Sequence, residues 1–236
     1  MLPPSEAEAQ GLSFVLLEPG PNVSEAEHHD WYDNEHVPAR LTIPTFLNAA
    51  RFKAVDGQKP TYLTLYDISE SSVADGPEYQ AVKDNGSERD KRLLATVQYL
   101  NRRAYSSIFN STLTTASGSD FPPKFIFVVG LEVKTEGEAD FNKLYNEEHI
   151  PMISKIPGWL RSRRYILSNS AIRGSIDAEV TVCKYLVIHD FSDGGYMDTS
   201  EMKAAASTPW VNEVLKSIVR REARHFTLLK EYKRPE

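Results

Sequence analysis

Apolar positions along the chain fall into short runs divided by polar, glycine- and proline-bearing segments. LSFVLLEP, Leu12 to Pro19, and KFIFVVGLEV, Lys124 to Val133, have the length and composition of buried strands. A helix start follows each, Ser24-x-x-Glu27 and Thr135-x-x-Glu138. In this capping box the hydroxyl and the carboxylate satisfy orphan backbone donors of the first turn. The helices run into His36-Val-Pro38 and His149-Ile-Pro151, where proline predicts a kink or an end. Ile-Pro turns then lead into a second strand carrying Arg51 or Arg164. A third strand, Thr61 to Ile68 or Lys184 to Phe191, precedes a second helix around Asp90 to Arg103 or Pro209 to Ala223. Strands at Tyr105 to Phe109 and His225 to Leu229 close an order βαββαβ, written twice.

The two halves also share their wording. YDNEHVPARLTIPTFLNAARF and YNEEHIPMISKIPGWLRSRRY align at a constant spacing of 113 (149 − 36). The alignment pairs Tyr32 with Tyr145, Glu35 with Glu148, His36 with His149, Pro38 with Pro151 and Arg51 with Arg164. By the third strands the spacing is 123 (184 − 61), so the second half has gained ten residues, in NSAIRGSIDAEV. That insertion reads as a loop that covers or fills a cavity of the second half. The expected organisation is a first repeat over 1–110, a linker over 111–123 rich in Ser, Thr, Gly and Pro, and a second repeat over 124–236. A sheet with helices on one face leaves its other face uncovered. The fold class is therefore α+β, two tandem ferredoxin-like repeats forming an intrachain dimeric α+β barrel.

Composition narrows the function. A formal charge of −6 over 236 residues argues against a nucleic-acid partner, and no window approaches a membrane span. The basic tail, Arg220 to Arg234, is interleaved with apolar residues and reads as a strand. Cys183 is the single cysteine and sits in an apolar strand-like run, so no thiolate metal site is expected and the residue reads as core. The chain shows no basic leader followed by an apolar run, which makes the cytoplasm the default location.

Candidate chemistry centres on His36 and Tyr32, one helical turn apart, with Tyr145 and His149 repeating the pair. An imidazole titrating near neutrality beside a phenol can take a proton from an activated carbon and stabilise the enolate. His36 is assigned as base or acid and Tyr32 as donor to the enolate. A histidine at a helix bend can instead serve the fold by binding freed backbone groups. Tyr66 and His189 match on the third strands, and Trp31 and Asn34 are further pocket candidates in the first half. Arg51 and Arg164 read as clamps on Glu35 and Glu148 rather than as substrate anchors. His29, Asp33 and His36 share a helix face, but Asn142 and Asn146 stand at the positions of His29 and Asp33 in the second half. A metal is therefore not expected, and no cofactor-binding motif is present.

The Tyr-x-x-Glu-His-x-Pro helix end, the Ile-Pro-x-x-Leu turn and the strand arginine resemble the EthD-like branch of the dimeric α+β barrel superfamily, in its fused two-repeat fungal form. The resemblance covers nearly the whole chain outside the linker and the insertion. It implies a cofactor-independent enzyme of polyketide-type secondary metabolism, of lyase, cyclase or isomerase type. Such an enzyme would act on a small aromatic or polyketide-derived carbonyl compound by cyclisation, decarboxylation or isomerisation. The superfamily also holds cofactor-free monooxygenases, haem proteins and members without activity, so a non-catalytic stress-type barrel is the alternative. A pseudo-dimeric monomer is expected, with a homodimer of such chains left open.

Overall fold

The computed structural model describes residues 9–178, 180 and 182–234. In chain order the first repeat comprises β1 (Gly11–Glu18), α1 (Glu25–Trp31), a π turn (Tyr32–His36), α2 (Val37–Leu41), β2 (Phe46–Ala54), β3 (Tyr62–Ile68), α3 (Pro77–Asp84), α4 (Glu88–Thr96) and β4 (Tyr99–Thr112). The second comprises β5 (Phe125–Val133), α5 (Glu138–Leu144), a π turn (Tyr145–His149), α6 (Ile150–Ile153), β6 (Trp159–Gly174), β7 (Tyr185–Phe191), α7 (Ser200–Ala205), α8 (Pro209–Val214) and β8 (Ile218–Lys233). Hydrogen bonding orders the strands β1-β3-β2-β8-β5-β7-β6-β4 and closes that order on itself. This is the expected fold class, two ferredoxin-like repeats in one intrachain α+β barrel.

Compact units do not follow the sequence halves. One unit takes 9–106 together with 168–178 and 228–234, and the other takes 107–167, 180 and 182–227. Strands β4, β6 and β8 are long enough to pass from one unit into the other. In the first unit Val15, Leu17, Trp31, Tyr32, Phe46, Tyr66 and Leu93 belong to one core under the helices. In the second unit Phe127, Val129, Phe141, Leu144, Trp159, Phe191 and Val211 do the same.

Several local expectations are corrected. Ser24 caps α1 by accepting from the Glu27 amide at 3.1 Å, but the Glu27 carboxylate pairs with Arg92 at 2.6 Å, so only half of the capping box forms. Thr135 opens a 3₁₀ turn instead, and α5 begins at Glu138 without a side-chain cap. Glu138 is drawn away by Lys184 and by the Tyr185 hydroxyl at 3.2 Å. The helix expected to reach Arg103 stops at Thr96, because from Tyr99 onward alternate residues Tyr99, Asn101, Arg103 and Tyr105 are buried, which is strand periodicity. The second helix of the other half likewise stops short of Ala223: after Val214 the chain makes a 3₁₀ turn and then β8. The insertion is partly strand, because β6 continues through Asn169 to Gly174.

Gly174 ends that strand at φ +75°, and a Cβ there would meet the Gln98 carbonyl oxygen at 2.0 Å. The next amide, Ser175, donates to the same carbonyl at 3.1 Å. Gly174→Ala combines a left-handed backbone with a backbone clash and should cost at least about 2 kcal/mol in urea unfolding. An unchanged midpoint would mean that this contact does not hold the inserted segment.

Candidate functional site

Proline does not end the helix that carries each candidate histidine. Pro38 lacks an N–H and its ring crowds the carbonyl four residues back, so the helix widens by one residue instead. The Val37 amide donates to the Tyr32 carbonyl, and Ile150 to Tyr145. The widened turns keep Tyr32 and His36 rings 4.7 Å apart and Tyr145 and His149 rings 4.8 Å apart.

The first-repeat histidine is built into a charged group whose centre is Asp90. Ser87 caps α4 by accepting from the Asp90 amide at 3.0 Å, which fixes the carboxylate under α1 and α2. Asp90 Oδ1 accepts from Trp31 Nε1 at 2.8 Å and from His36 Nδ1 at 2.7 Å. Its Oδ2 lies 3.5 Å from Arg40 Nη2, and Arg40 Nη1 donates to the His36 carbonyl at 3.3 Å. Burial pulls the His36 pKa down to about 4, helped by the Arg40 charge and opposed by Asp90. Burial would raise the Asp90 carboxyl, but the His36 and Trp31 hydrogen bonds and the His36 and Arg40 charges outweigh it and hold it low. At neutral pH the imidazole is therefore neutral, with its proton on Nδ1 facing an ionised carboxylate. Nε2 is left as the basic nitrogen, and the carboxylate stabilises the imidazolium that forms when Nε2 takes a proton.

His36 borders a cavity of about 230 Å³ whose wall also includes Ser13, Val15, Phe46, Tyr66, Tyr79 and Leu100. A cavity of about 150 Å³ accommodates benzene, so this one suits a molecule of one or two fused rings. Burial raises the Tyr66 phenol well above its ordinary value, and it stays a hydrogen-bond donor at neutral pH. Contrary to expectation, Ala171, Ile172 and Arg173 of the second-half insertion border this first-repeat cavity.

The other expected residues lie outside the wall. Tyr32 is buried with its hydroxyl lacking a partner among the described residues, and its ring stacks under the Arg51 guanidinium at 4.7 Å. It does not border this cavity. Trp31 serves through Asp90. Asn34 is directed to Asp30, at 2.8 Å, on the exposed side of the helix. Arg51 is buried but pairs with Asp33, His29 and Tyr232, not with Glu35. Glu35 is taken by the Ser87 hydroxyl, because the π turn aims it at the cap of α4. Arg164 likewise binds Asn142 and Asn146, and Glu148 accepts from Thr208 at 2.5 Å. Both expected carboxylate clamps are thus absent. Among the described residues no group of His, Cys, Asp and Glu gathers as a metal site.

In the second repeat Tyr145 is buried against Phe141 and under Arg164, and burial raises its phenol to about 12. His149 Nδ1 donates to the Ala205 carbonyl at 3.1 Å, and burial lowers its pKa to about 4. His189 is buried against Ser162, 2.7 Å from its Nδ1, in a bonded network with Trp159. Thr208 caps α8 as Ser87 caps α4, so the residue standing where Asp90 stands is Val211. At the spacing of 113, Phe141, Leu144 and Ile153 occupy the positions of His28, Trp31 and Arg40. The whole polar group is confined to the first repeat. Sequence reasoning missed Asp90 and Arg40 because it attended to what the halves share. The signal that finds them is where the halves differ.

Against known proteins, no family model matches the sequence. Core atranone cluster protein 1 of Stachybotrys chlorohalonatus is 25% identical over 197 residues, 78% of this chain and 83% of the relative. Among solved structures, a protein described as anthrone oxidase-like superposes with a TM-score of 0.61 at 10% identity, covering 98% of this chain and 96% of its own. A protein from Fusobacterium nucleatum assigned as a monooxygenase superposes at 0.57 and 9% identity, covering 94% and 93%. The fold is the dimeric α+β barrel. Within that barrel the first repeat carries the polar group, and among the described residues no helix is long and apolar enough to cross a membrane.

Proposed function

We propose that the protein is a cofactor-independent enzyme of secondary metabolism that removes a proton from a small aromatic or polyketide-derived carbonyl compound. The observation that carries this is the 2.7 Å contact of His36 Nδ1 with Asp90 at the wall of a ligand-sized cavity. His36 Nε2 is the base, Asp90 is a positioning residue that fixes the tautomer, and Tyr66 donates to the oxygen of the developing enolate. Trp31 and Arg40 hold Asp90. The enolate is the intermediate that ring closure, loss of carbon dioxide or isomerisation would consume. The likeness to a protein named for a biosynthetic cluster, and the fold shared with a protein named anthrone oxidase-like, support this substrate class. The resemblance of the Tyr-x-x-Glu-His-x-Pro segment to the EthD-like branch, in its fused fungal form, belongs to the same proposal. So does action in the cytoplasm as a pseudo-dimeric monomer.

His149, tied to a backbone carbonyl and without a carboxylate partner among the described residues, is read as scaffold. The test is proton exchange at carbon. One- and two-ring 1,3-dicarbonyl and hydroxyaryl ketone compounds are incubated with the protein in deuterium oxide and followed by NMR. The protein should accelerate deuterium incorporation into at least one compound. His36→Gln should lose about 10²–10⁴ of that rate, and His149→Gln should keep it. Equal exchange by His36→Gln would sink the assignment.

A further inference from the structure

The charge around the cavity says more about what enters it. Arg40, Lys83, Arg102 and Arg173 border it, against the single carboxylate of Asp75. Two of these cations are committed. Arg40 faces Asp90, and Arg102 binds Asp75 and the Ala74 carbonyl, the latter at 2.9 Å. Lys83, on the last turn of α3, and Arg173, one residue before the anchored Gly174, form no ion pair with a carboxylate among the described residues. The chain as a whole is net negative by six charges, so an uncompensated positive rim here is a local departure. A low-dielectric cavity with such a rim concentrates anions. Arg173 also reaches this rim only because the second half carries ten residues that the first lacks.

We propose that the insertion completes the first repeat's site, with Arg173 and Lys83 forming an anion subsite at its mouth. The substrate is accordingly a one- or two-ring aromatic molecule bearing a carboxylate. The carboxylate sits at the rim and the acidic C–H or phenol lies inside, toward His36. This rests on the proton-abstraction reading for the inner end alone. The outer end stands on charge and placement.

Binding separates the two. The intrinsic fluorescence of 1-hydroxy-2-naphthoate, and of its neutral amide, is titrated against the wild-type protein, Lys83→Gln, Arg173→Gln, the double variant and His36→Gln. All the substituted rim positions are exposed, so folding is not at stake. The acid should bind wild type roughly tenfold more tightly than the amide at low salt, the yield of two partly exposed ion pairs. The preference should shrink in each single variant, vanish in the double variant and persist in His36→Gln. It should also weaken as salt rises. Equal binding of acid and amide, a preference that survives the double variant, or no saturable binding of either compound would overturn the subsite. A charge preference in a protein that exchanges no protons would sink the catalytic reading and leave the subsite standing. Proton exchange without a charge preference would do the reverse.

Discussion

Asp90→Val lowers stability by about 3–5 kcal/mol and abolishes proton exchange. Removing the carboxylate leaves Arg40 as an uncompensated buried cation, and deprives Trp31 Nε1 and His36 Nδ1 of their acceptor. Urea unfolding of wild type and variant at pH 7 measures the loss. A buried charged group replaced as a whole by apolar residues is often neutral for stability, whereas one broken by a single deletion is not. The second repeat shows which apolar residues fit. The triple variant Trp31→Leu, Arg40→Ile, Asp90→Val copies Leu144, Ile153 and Val211 into the first repeat. It should regain at least about 2 kcal/mol over Asp90→Val while remaining inactive. If the triple variant is no more stable than the single one, the group contributes to stability in its own right. Asp90→Asn is the finer probe, since it keeps the shape but no longer holds the proton on Nδ1. It should lose about 10²–10⁴ in rate with only part of the stability cost.

The second large effect is acid unfolding. His28, His36 and His189 are buried and His149 nearly so, and burial depresses them to about 3, about 4, about 3 and about 4. In the unfolded chain each titrates near 6.5. Between about pH 4 and 6.5 the unfolded state therefore binds more protons than the folded one, and stability falls as pH falls through that window. Each histidine contributes about 1.4 kcal/mol per pH unit, so the four together remove about 8 kcal/mol by pH 5. That matches the whole stability of many domains. Circular dichroism should show cooperative unfolding near pH 5 and no comparable loss between pH 7 and 8. His28 has both ring nitrogens without partners among the described residues, between the Tyr32 and Tyr62 rings. His28→Phe, which copies Phe141, should move the transition to lower pH. A midpoint unmoved by His28→Phe would refute the account.

Much of the fold was legible because duplication doubles every periodic signal. A strand pattern that recurs at the right place in both halves, as in TYLTLYDI and KYLVIHDF, is hard to mistake. Boundaries were less legible. The Tyr99 to Arg103 segment buries Asn101 and Arg103, polar residues that a hydrophobic pattern assigns to a solvated helix. The candidate site was half legible. His36 and Tyr66 stood out through the motif and the matched strand. Asp90 did not, because its role depends on a contact across 54 residues and on a helix cap. Tyr32 stood out for the opposite reason, yet it does not border the cavity. It recurs in both halves because both helices need an aromatic under the strand arginine, as Arg51 and Arg164 show. The insertion misled because sequence order assigned it to its own half, whereas β6 carries it into the unit of the other.

Sharing strand ends between units has a consequence for how such a chain evolves. In a barrel made from two identical chains, every substitution falls on both sites at once, and a defect in one is a defect in both. Here a single chain encodes each copy separately. Residues 168–178 and 228–234 of the second repeat belong to the unit that carries the polar group, so the second repeat cannot be discarded. It can, however, change its own interior freely. Phe141, Leu144, Ile153 and Val211 are what such freedom leaves behind: an apolar interior where the first repeat keeps polar side chains.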